Sequence, residues 1–243
     1  MVRIVDYDSR RKEILRKTIE YYLETAEPVS SEALLENYKL DVSSATIRSV
    51  FKDLEDRGYL THTHTSSGRI PTDLGYRFYI DDLMLKMDLS KEEKSTLKKF
   101  FNSYMQMKRS ALENAGRVIS NFTHYVGIVN DEDQHRIYYS GWSHLLEQPE
   151  FKNIQTIHSI FQALEEDRLL DLMNRDMDYP LEVFVGEECD CPGMSDCALI
   201  ISDCSNKKKK LGKLAVLGPK RMAYHRVMPM VDYLSELIIG EFE

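Results

Sequence analysis

The chain has 243 residues, of which 42% are hydrophobic and 30% are charged, so it can bury a sizeable core, and a prior of about 150 residues per domain predicts two domains. Its formal net charge of −8 argues against indiscriminate binding to nucleic acid, because such binding needs an excess of Lys and Arg. We find no run of about 18 apolar residues and no apolar leader. We therefore expect a cytoplasmic protein, with no membrane partner, whose four cysteines are reduced thiols.

Two helices are predicted in the first 40 residues. Apolar residues recur with helical spacing over residues 9–25, and Glu27-Pro28 ends this helix because the residue before a proline disfavours the helical conformation. Ser30 and Ser31 cap a second helix that runs to about Tyr38. Residues 39–42 then form a short turn, so the spacing suits a compact unit of three helices.

A third helix begins at Ser43 or Ser44, whose side-chain oxygen can accept a hydrogen bond from an amide of the first turn. Its core stripe consists of apolar residues at positions i, i+3, i+4 and i+7, namely Ile47, Val50, Phe51 and Leu54. At about 100° per residue, the opposite face carries small or basic residues, namely Ala45, Arg48, Ser49 and Lys52. This composition is expected of a recognition helix that meets base edges and phosphates.

A hairpin is predicted directly after the third helix. Gly58 ends the helix in the left-handed conformation, residues 59–65 alternate as a strand, and residues 66–69 form a turn. A helix, a turn and an arginine-bearing hairpin together predict a winged helix-turn-helix that binds DNA. The hairpin residues expected to contact the DNA backbone or minor groove are His64, Ser67 and Arg69.

The predicted DNA-binding domain covers residues 1–85. Thr72 caps its last helix, residues 73–84. On this helix, Arg77 either lies near the DNA backbone or is simply a solvated surface residue.

Residues 86–112 are interpreted as a helical linker, in which Ser90 and Glu93 form a capping box. A single long helix is expected to begin at this capping box and to continue toward Phe122. Its apolar and aromatic residues are Leu97, Phe100, Phe101, Tyr104, Met107 and Leu112. Two interpretations of its aromatic residues remain open. They pack within the second domain, or they join a second copy of the chain.

The second domain, residues 113–243, alternates strands with helices. Strands are predicted over residues 125–129, 136–139, 181–187, 198–203 and 213–218, and helices over residues 153–173 and 224–242. The predicted fold class is therefore α+β, with a winged helix-turn-helix followed by an antiparallel sheet domain with flanking helices.

Two groups of side chains raise the question of a metal. The thiols Cys189, Cys191, Cys197 and Cys204 could bind a thiophilic metal or sense redox state, or they are buried small side chains. His62 and His64 share a strand face, which leaves a zinc site open, but no carboxylate or thiol is near in sequence. We expect no cofactor and no enzyme activity, because no catalytic triad, phosphate loop or paired catalytic carboxylates occur. The competing class is a sensor of small molecules or metals.

Several blocks of this sequence together carry a family resemblance. The densest are Ser44-Ala45-Thr46-Ile47-Arg48, Asp53-Leu54-Glu55 and His64-Thr65-Ser66-Ser67-Gly68-Arg69-Ile70-Pro71-Thr72-Asp73, with later blocks at Leu145-Leu146-Glu147-Gln148-Pro149-Glu150-Phe151, Leu217-Gly218-Pro219-Lys220-Arg221-Met222 and Val231-Asp232-Tyr233-Leu234-Ser235-Glu236-Leu237. With these blocks the chain resembles the heat-inducible transcription repressors of the HrcA family. The blocks follow the family order over most of the chain. They add Ser44, Thr46, Thr65 and Gly68 to the candidate DNA contacts.

The resemblance implies a GAF-like second domain and a homodimer that represses chaperone and chaperonin genes. The implied target is double-stranded operator DNA with an inverted repeat of the CIRCE type, released on heat stress, and the implied modulator is the chaperonin. Two features depart from the family. Ser49-Val50-Phe51 stands where Asn-Glu-Met is usual, and only residues 130–135 separate two predicted strands where the family carries a dimerising insertion.

Overall fold

The structure of the protein is a computed structural model that describes residues 2–62, 68–105, 110–132, 135–165, 168–205 and 210–241, with the side chains of 2–7 and 164–165 left aside. The chain divides into two compact units, Met1–Leu85 and Lys86–Glu243. Within the described residues, no helix is both long enough and apolar enough to cross a membrane.

The first unit opens with three helices: α1 (Val2–Thr25), α2 (Ser31–Asn37) and α3 (Ser44–Asp56). Helix α1 ends where Ala26 takes a left-handed conformation, with φ +58°, two residues before Pro28. The hydroxyls of Ser30 and Ser43 then cap α2 and α3. Each accepts a hydrogen bond from the amide three residues further on, at 3.0 and 3.1 Å. Of the two candidate caps for α3, the structure therefore uses Ser43.

The predicted apolar stripe of α3 is confirmed as core. All four of its residues, Ile47, Val50, Phe51 and Leu54, are buried together with side chains of α1 and α2 such as Leu15 and Leu34. An ion pair reinforces this packing, because the Arg11 guanidinium of α1 donates to the Asp53 carboxylate at 2.8 Å. The stripe fixes which face of α3 remains exposed.

A hairpin follows, in which β1 (Leu60–Thr61) pairs antiparallel with β2 (Ile70–Pro71). Gly58 has φ +79°, as the predicted helix end requires. Thr72 caps α4 (Asp73–Phe78), which continues through one wide turn, Tyr79–Leu83. A Cβ on Gly75 would lie 2.2 Å from the Tyr59 carbonyl oxygen, so only glycine lets α4 approach the hairpin this closely.

The second unit contains α5 (Lys91–Met105) and α6 (Ala111–Thr123), followed by an antiparallel sheet with the strand order β4-β3-β7-β6-β5. Its strands are β3 (Val126–Asp131), β4 (Arg136–Ser140), β5 (Leu181–Val185), β6 (Cys197–Asp203) and β7 (Gly212–Pro219). Its other helices are α7 (Trp142–Glu147), α8 (Ile154–Glu165), α9 (Arg168–Asn174) and α10 (Tyr224–Gly240), with short 3₁₀ turns at Pro149–Phe151 and Gly186–Cys189. The chain is therefore α+β.

Both faces of this sheet are covered by helices. Side chains of α7, α8 and α9 share one apolar core with every second residue of the central strands, including Ile128, Leu199 and Leu217. Helices α6 and α10 pack against the opposite face, where Val216 is also fully buried. Burial on both faces explains why β6 and β7 are apolar almost throughout instead of alternating with polar residues.

One prediction of a single long helix is wrong. The expected helix toward Phe122 is divided, because Ser110 takes an extended conformation and its hydroxyl accepts a hydrogen bond from the amide of Glu113, which starts α6. Met107 lies outside the described residues. The helix expected over residues 153–173 is described in two parts, α8 and α9, and residues 166–167 between them lie outside the described residues. The short helix α7 was not predicted.

The capping box at Ser90 and Glu93 is confirmed. The Ser90 amide donates to the Glu93 carboxylate at 2.9 Å, and the Glu93 amide donates to the Ser90 hydroxyl at 3.1 Å. Helix α5 lies within the residues interpreted as a helical linker, and its side chains Leu97 and Phe101 are buried within the second unit. This burial supports the internal packing interpretation for these two residues.

Close contact between α6 and β3 provides a test of the fold. A Cβ on Gly127 would lie 2.1 Å from the Gly116 carbonyl oxygen, so we expect Gly127→Ala to lower the free energy of unfolding by about 1–3 kcal/mol, as overpacking does. Gly240→Ala is the matched control, because a Cβ there meets nothing within 4 Å. Denaturant unfolding of both variants measures the difference. Equal stability of the two variants would contradict the packing described.

Candidate nucleic-acid interface

The surface of α3 opposite its core stripe is exposed over its length. Ala45, Arg48, Ser49 and Lys52 are exposed, whereas Ser44 and Thr46 near the start of the helix are half-buried. The Thr46 hydroxyl lies 2.9 Å from the hydroxyl of the cap residue Ser43. Because the core stripe leaves α3 no freedom to rotate, this face is presented to solvent in a fixed direction.

A polar junction joins the start of α2 to the start of α3. The Ser31 and Ser44 hydroxyls lie 3.0 Å apart, and each also donates to the Glu32 carboxylate at 3.1 Å. Hydrogen bonds from its own backbone amide and from these two hydroxyls hold the pKa of Glu32 below its ordinary value. The Arg48 guanidinium lies 3.8 Å from the same carboxylate. This exposed ion pair is weak, because water screens both partners.

The base of the hairpin is attached to the loop between α1 and α2. Arg69 and Val29 exchange both backbone hydrogen bonds, at 2.9 and 2.8 Å. A Cβ on Gly68 would lie 2.5 Å from the Val29 carbonyl carbon and 2.6 Å from that of Pro28. Gly68 is therefore required for close approach of two backbone segments.

Glu55 connects α3 to both arms of the hairpin. One oxygen of its carboxylate lies 3.0 Å from the Arg69 guanidinium, and the other contacts Nδ1 of His62. The side chains of Glu55 and Arg69 are each 23% exposed. Around these groups, a groove of about 660 Å³ is lined by Val29, Ser30, Ser31, Glu32, Arg48, Phe51, Lys52, Glu55, Asp56, His62, Gly68 and Arg69.

The structure brings together four of the residues predicted to contact DNA, since Arg48, Lys52, Gly68 and Arg69 all line this groove. Arg77 does not line it, and its guanidinium lies 3.4 Å from Asp81 on its own helix. The predicted contacts His64, Thr65 and Ser67 lie outside the described residues.

Sequence reasoning missed the acidic side chains of the groove, namely Glu32, Glu55 and Asp56. A signal was available for Glu55. It follows Arg48 by seven residues and Lys52 by three, so helical geometry puts all three on one side of α3. The partners of Glu55 are distant in sequence and only the fold identifies them.

The cysteines lie in the second unit and are all buried. Cys189, Cys191 and Cys197 belong to the apolar core on one face of the sheet. Cys204 lies 3.5 Å from the Ser235 hydroxyl of α10. Among the described side chains, no group of three or more His, Cys, Asp or Glu residues is arranged to hold a metal ion.

Comparison with known proteins identifies the class. The family model described as the HrcA protein C terminal domain matches residues 79–228, which is more than half of the chain. The chain therefore belongs to the HrcA family.

Two relatives and one solved structure illustrate the similarity. The heat-inducible transcription repressors HrcA of Carboxydothermus hydrogenoformans and Desulforamulus reducens are 25% and 28% identical to this chain, covering 95% and 94% of it and 97% and 95% of the relatives. The crystal structure of a hypothetical protein matches the fold with a TM-score of 0.76 at 18% identity, covering 96% of this chain and 98% of the other.

The alignments also show that this chain is short for its family. The alignment with the C. hydrogenoformans protein has 330 positions and covers 95% of this chain. Since 95% of 243 residues is about 231, about 99 positions of the alignment (330 − 231) stand opposite gaps in this chain. The short form expected from the sequence is consistent with this difference.

The buried thiols lead to a prediction about reactivity. Burial raises the pKa of Cys204 to about 12 and that of Cys197 well above its ordinary value, so both stay neutral at pH 8, and the thiolate is the reactive form. We expect brief alkylation of the folded protein at pH 8 to leave Cys197 and Cys204 unlabelled in peptide mass spectra. Protein unfolded in guanidinium is the control, in which all four cysteines react. Rapid labelling of either residue in the folded protein would contradict a buried, non-redox role.

Proposed function

We propose that this protein is a heat-inducible transcription repressor that binds double-stranded DNA through its first unit. The observation that carries the proposal is the exposed face of α3, with its small and basic residues beside a hairpin, in a chain of the HrcA family. The relatives named above are heat-inducible transcription repressors. Nothing in this function requires enzyme activity or a cofactor.

In this proposal the first unit, residues 1–85, is a winged helix-turn-helix. Helix α3 enters the major groove as the recognition helix, and its start, with Ser44, Ala45 and Thr46, is nearest the bases. Arg48 reads a base edge, and Ser49 lies on the same exposed face. Lys52 contacts a phosphate, which adds affinity without sequence information.

The hairpin acts as the wing in this proposal. Its residues His64, Thr65, Ser67, Gly68 and Arg69 approach the DNA backbone or the minor groove, and Arg77 lies near the backbone. Because the chain as a whole carries a net charge of −8, its attraction to phosphates depends on the basic residues of this surface. Binding to random DNA is therefore weak and falls steeply with salt.

The second unit supplies assembly and regulation. We infer a GAF-like domain over residues 113–243 that joins two chains, so that two recognition helices match an inverted repeat of the CIRCE type. Release of the operator on heat stress, and modulation by the chaperonin, follow from the family resemblance. Phe100, which is 47% exposed on α5, is available to a partner chain, although its ring also contacts Phe122 at 5.1 Å.

A sensor of small molecules is the alternative class, and the pocket described in the second unit does not favour it. The pocket between α8 and the loop at Gly193 has a volume of about 100 Å³, whereas small-molecule sites usually measure about 300–1,000 Å³.

Arg48 tests the recognition helix. We expect Arg48→Ala to weaken binding to an inverted-repeat operator from upstream of a chaperone gene by about 1–3 kcal/mol, because a bidentate contact to a base is lost. Fluorescence anisotropy at fixed salt measures the change. Arg57→Ala is the matched control, since it removes the same charge from the end of α3, where Arg57 lies 3.1 Å from Asp53. Unchanged operator affinity in Arg48→Ala would refute the assignment of α3.

Assembly is tested on the full chain. We expect light scattering at micromolar concentration to give twice the mass of a single chain, with and without operator DNA, because an inverted repeat requires two half-site readers related by a two-fold axis. A chain that stays monomeric under both conditions would overturn the dimer proposal.

A further inference from the structure

Glu55 of α3 contacts the hairpin at two points, one on each side of its β1–β2 pairing. Its carboxylate binds His62, which directly follows β1, and Arg69, which directly precedes β2. One side chain of α3 thus contacts both arms of the hairpin, the outgoing arm at His62 and the returning arm at Arg69. Among the described residues of the hairpin, β1 pairs with β2 through Leu60 opposite Pro71 and Thr61 opposite Ile70.

The returning arm has a second attachment on its other side. The backbone of Arg69 is bonded to Val29, and Gly68 lies against the Pro28–Val29 backbone. These backbone contacts attach the returning arm to the loop between α1 and α2. They do not fix the distance between this arm and α3, which depends on side chains. The ion pair of 3.0 Å between Glu55 and Arg69 spans that distance.

A carboxylate at this position is unfavourable for DNA binding by charge alone. Glu55 lines the same groove as Arg48 and Lys52, and a negative charge there repels phosphates. The ion pairs of Glu55 with Arg69 and His62 give this carboxylate a role that offsets the repulsion. Holding a loop in its bound arrangement before binding improves affinity, because the cost of ordering it is already met.

We propose that Glu55 is a positioning residue, which holds both arms of the hairpin at a fixed distance from the recognition helix so that the helix and the wing engage DNA together. The proposal rests on the proposed function. In this role Arg69 is the hairpin partner of Glu55, in addition to the DNA contact proposed for it above.

The sign of the effect on affinity separates this role from simple electrostatics. By charge alone, Glu55→Ala should strengthen operator binding, whereas loss of positioning should weaken it by about fivefold to tenfold, which corresponds to the net contribution of one typical hydrogen bond. Asp56→Ala is the matched control, because it removes the same charge from the neighbouring position of the same groove. We expect Asp56→Ala to bind as tightly as the unchanged protein or more tightly.

A conservative variant and a coupled variant sharpen the test. Glu55→Gln keeps the shape and can still accept a hydrogen bond from Arg69, so we expect it to recover part of the affinity lost in Glu55→Ala. Because Glu55 and Arg69 share one ion pair, we expect the loss of affinity in the double variant Glu55→Ala/Arg69→Ala to be smaller than the sum of the two single losses. Fully additive losses, or tighter binding by Glu55→Ala, would overturn the proposal.

Hydrogen exchange tests the positioning role without DNA. The Arg69 amide donates to the Val29 carbonyl at 2.8 Å, so loosening of the hairpin should speed its exchange. We expect faster exchange at Arg69 in Glu55→Ala and unchanged exchange in Asp56→Ala, with both variants otherwise folded. Unchanged exchange in Glu55→Ala would refute the positioning role even if the protein binds its operator.

Failure of the unchanged protein to bind the operator would instead refute the proposed function. The exchange experiment would still decide the role of Glu55 in that case.

Discussion

Burial of the apolar stripe on α3 is the constraint on which the first unit depends. A helix with four core residues on one side, Ile47, Val50, Phe51 and Leu54, cannot rotate without exposing them, and each full burial of such a side chain contributes about 1.5–3 kcal/mol. The stripe therefore determines which side chains face solvent. It also determines where Glu55 projects, and hence where the hairpin is held. One packing requirement in this way sets the geometry of the helix face and of the hairpin beside it.

The charges of the candidate interface follow from the same geometry. An overall charge of −8 does not prevent a local surface suited to DNA, because charges beyond about 10 Å are largely screened at 0.1 M salt. Within the groove, however, Arg48 lies near Glu32, and Arg69 is paired with Glu55. The exposed pair at Arg48 is easily broken, so that arginine is free to exchange its partner for a base or phosphate. The less exposed pair at Arg69 is screened less and suits a structural task.

Local signals in the sequence predicted much of the fold. Helix caps could be predicted because a cap depends on residues within one turn. The predicted caps at Ser30, Thr72 and the Ser90–Glu93 pair are all confirmed. Short apolar stretches similarly located all five strands of the large sheet to within a few residues. Ser110 was not recognised as a cap, since the apolar stripe continues past it and periodicity alone does not reveal a break.

Contacts between residues that are far apart in the chain could not be predicted from the sequence. Arg221 binds Glu150 and, at 3.0 Å, Gln148, which joins two of the blocks that carry the family resemblance. The family resemblance identified both blocks, but it did not show that they contact each other in the fold. For the candidate site, the exposed face of α3 could be predicted from one helix, whereas the groove required the fold, because Val29, Glu55 and Arg69 come from three separate segments.

The short form of the chain has a structural consequence for assembly. Strands β3 and β4 pair to their ends, with Asp131 opposite Arg136, so only residues 132–135 connect them and the sheet is complete without a longer segment there. A dimer of this chain must therefore use surfaces that do not depend on such a segment. Leu97 and Phe101 of α5 are already buried within their own unit, which removes them from that role. What α5 still offers a partner is its exposed side, where Phe100 lies, and this is a smaller surface than the whole aromatic helix would have provided.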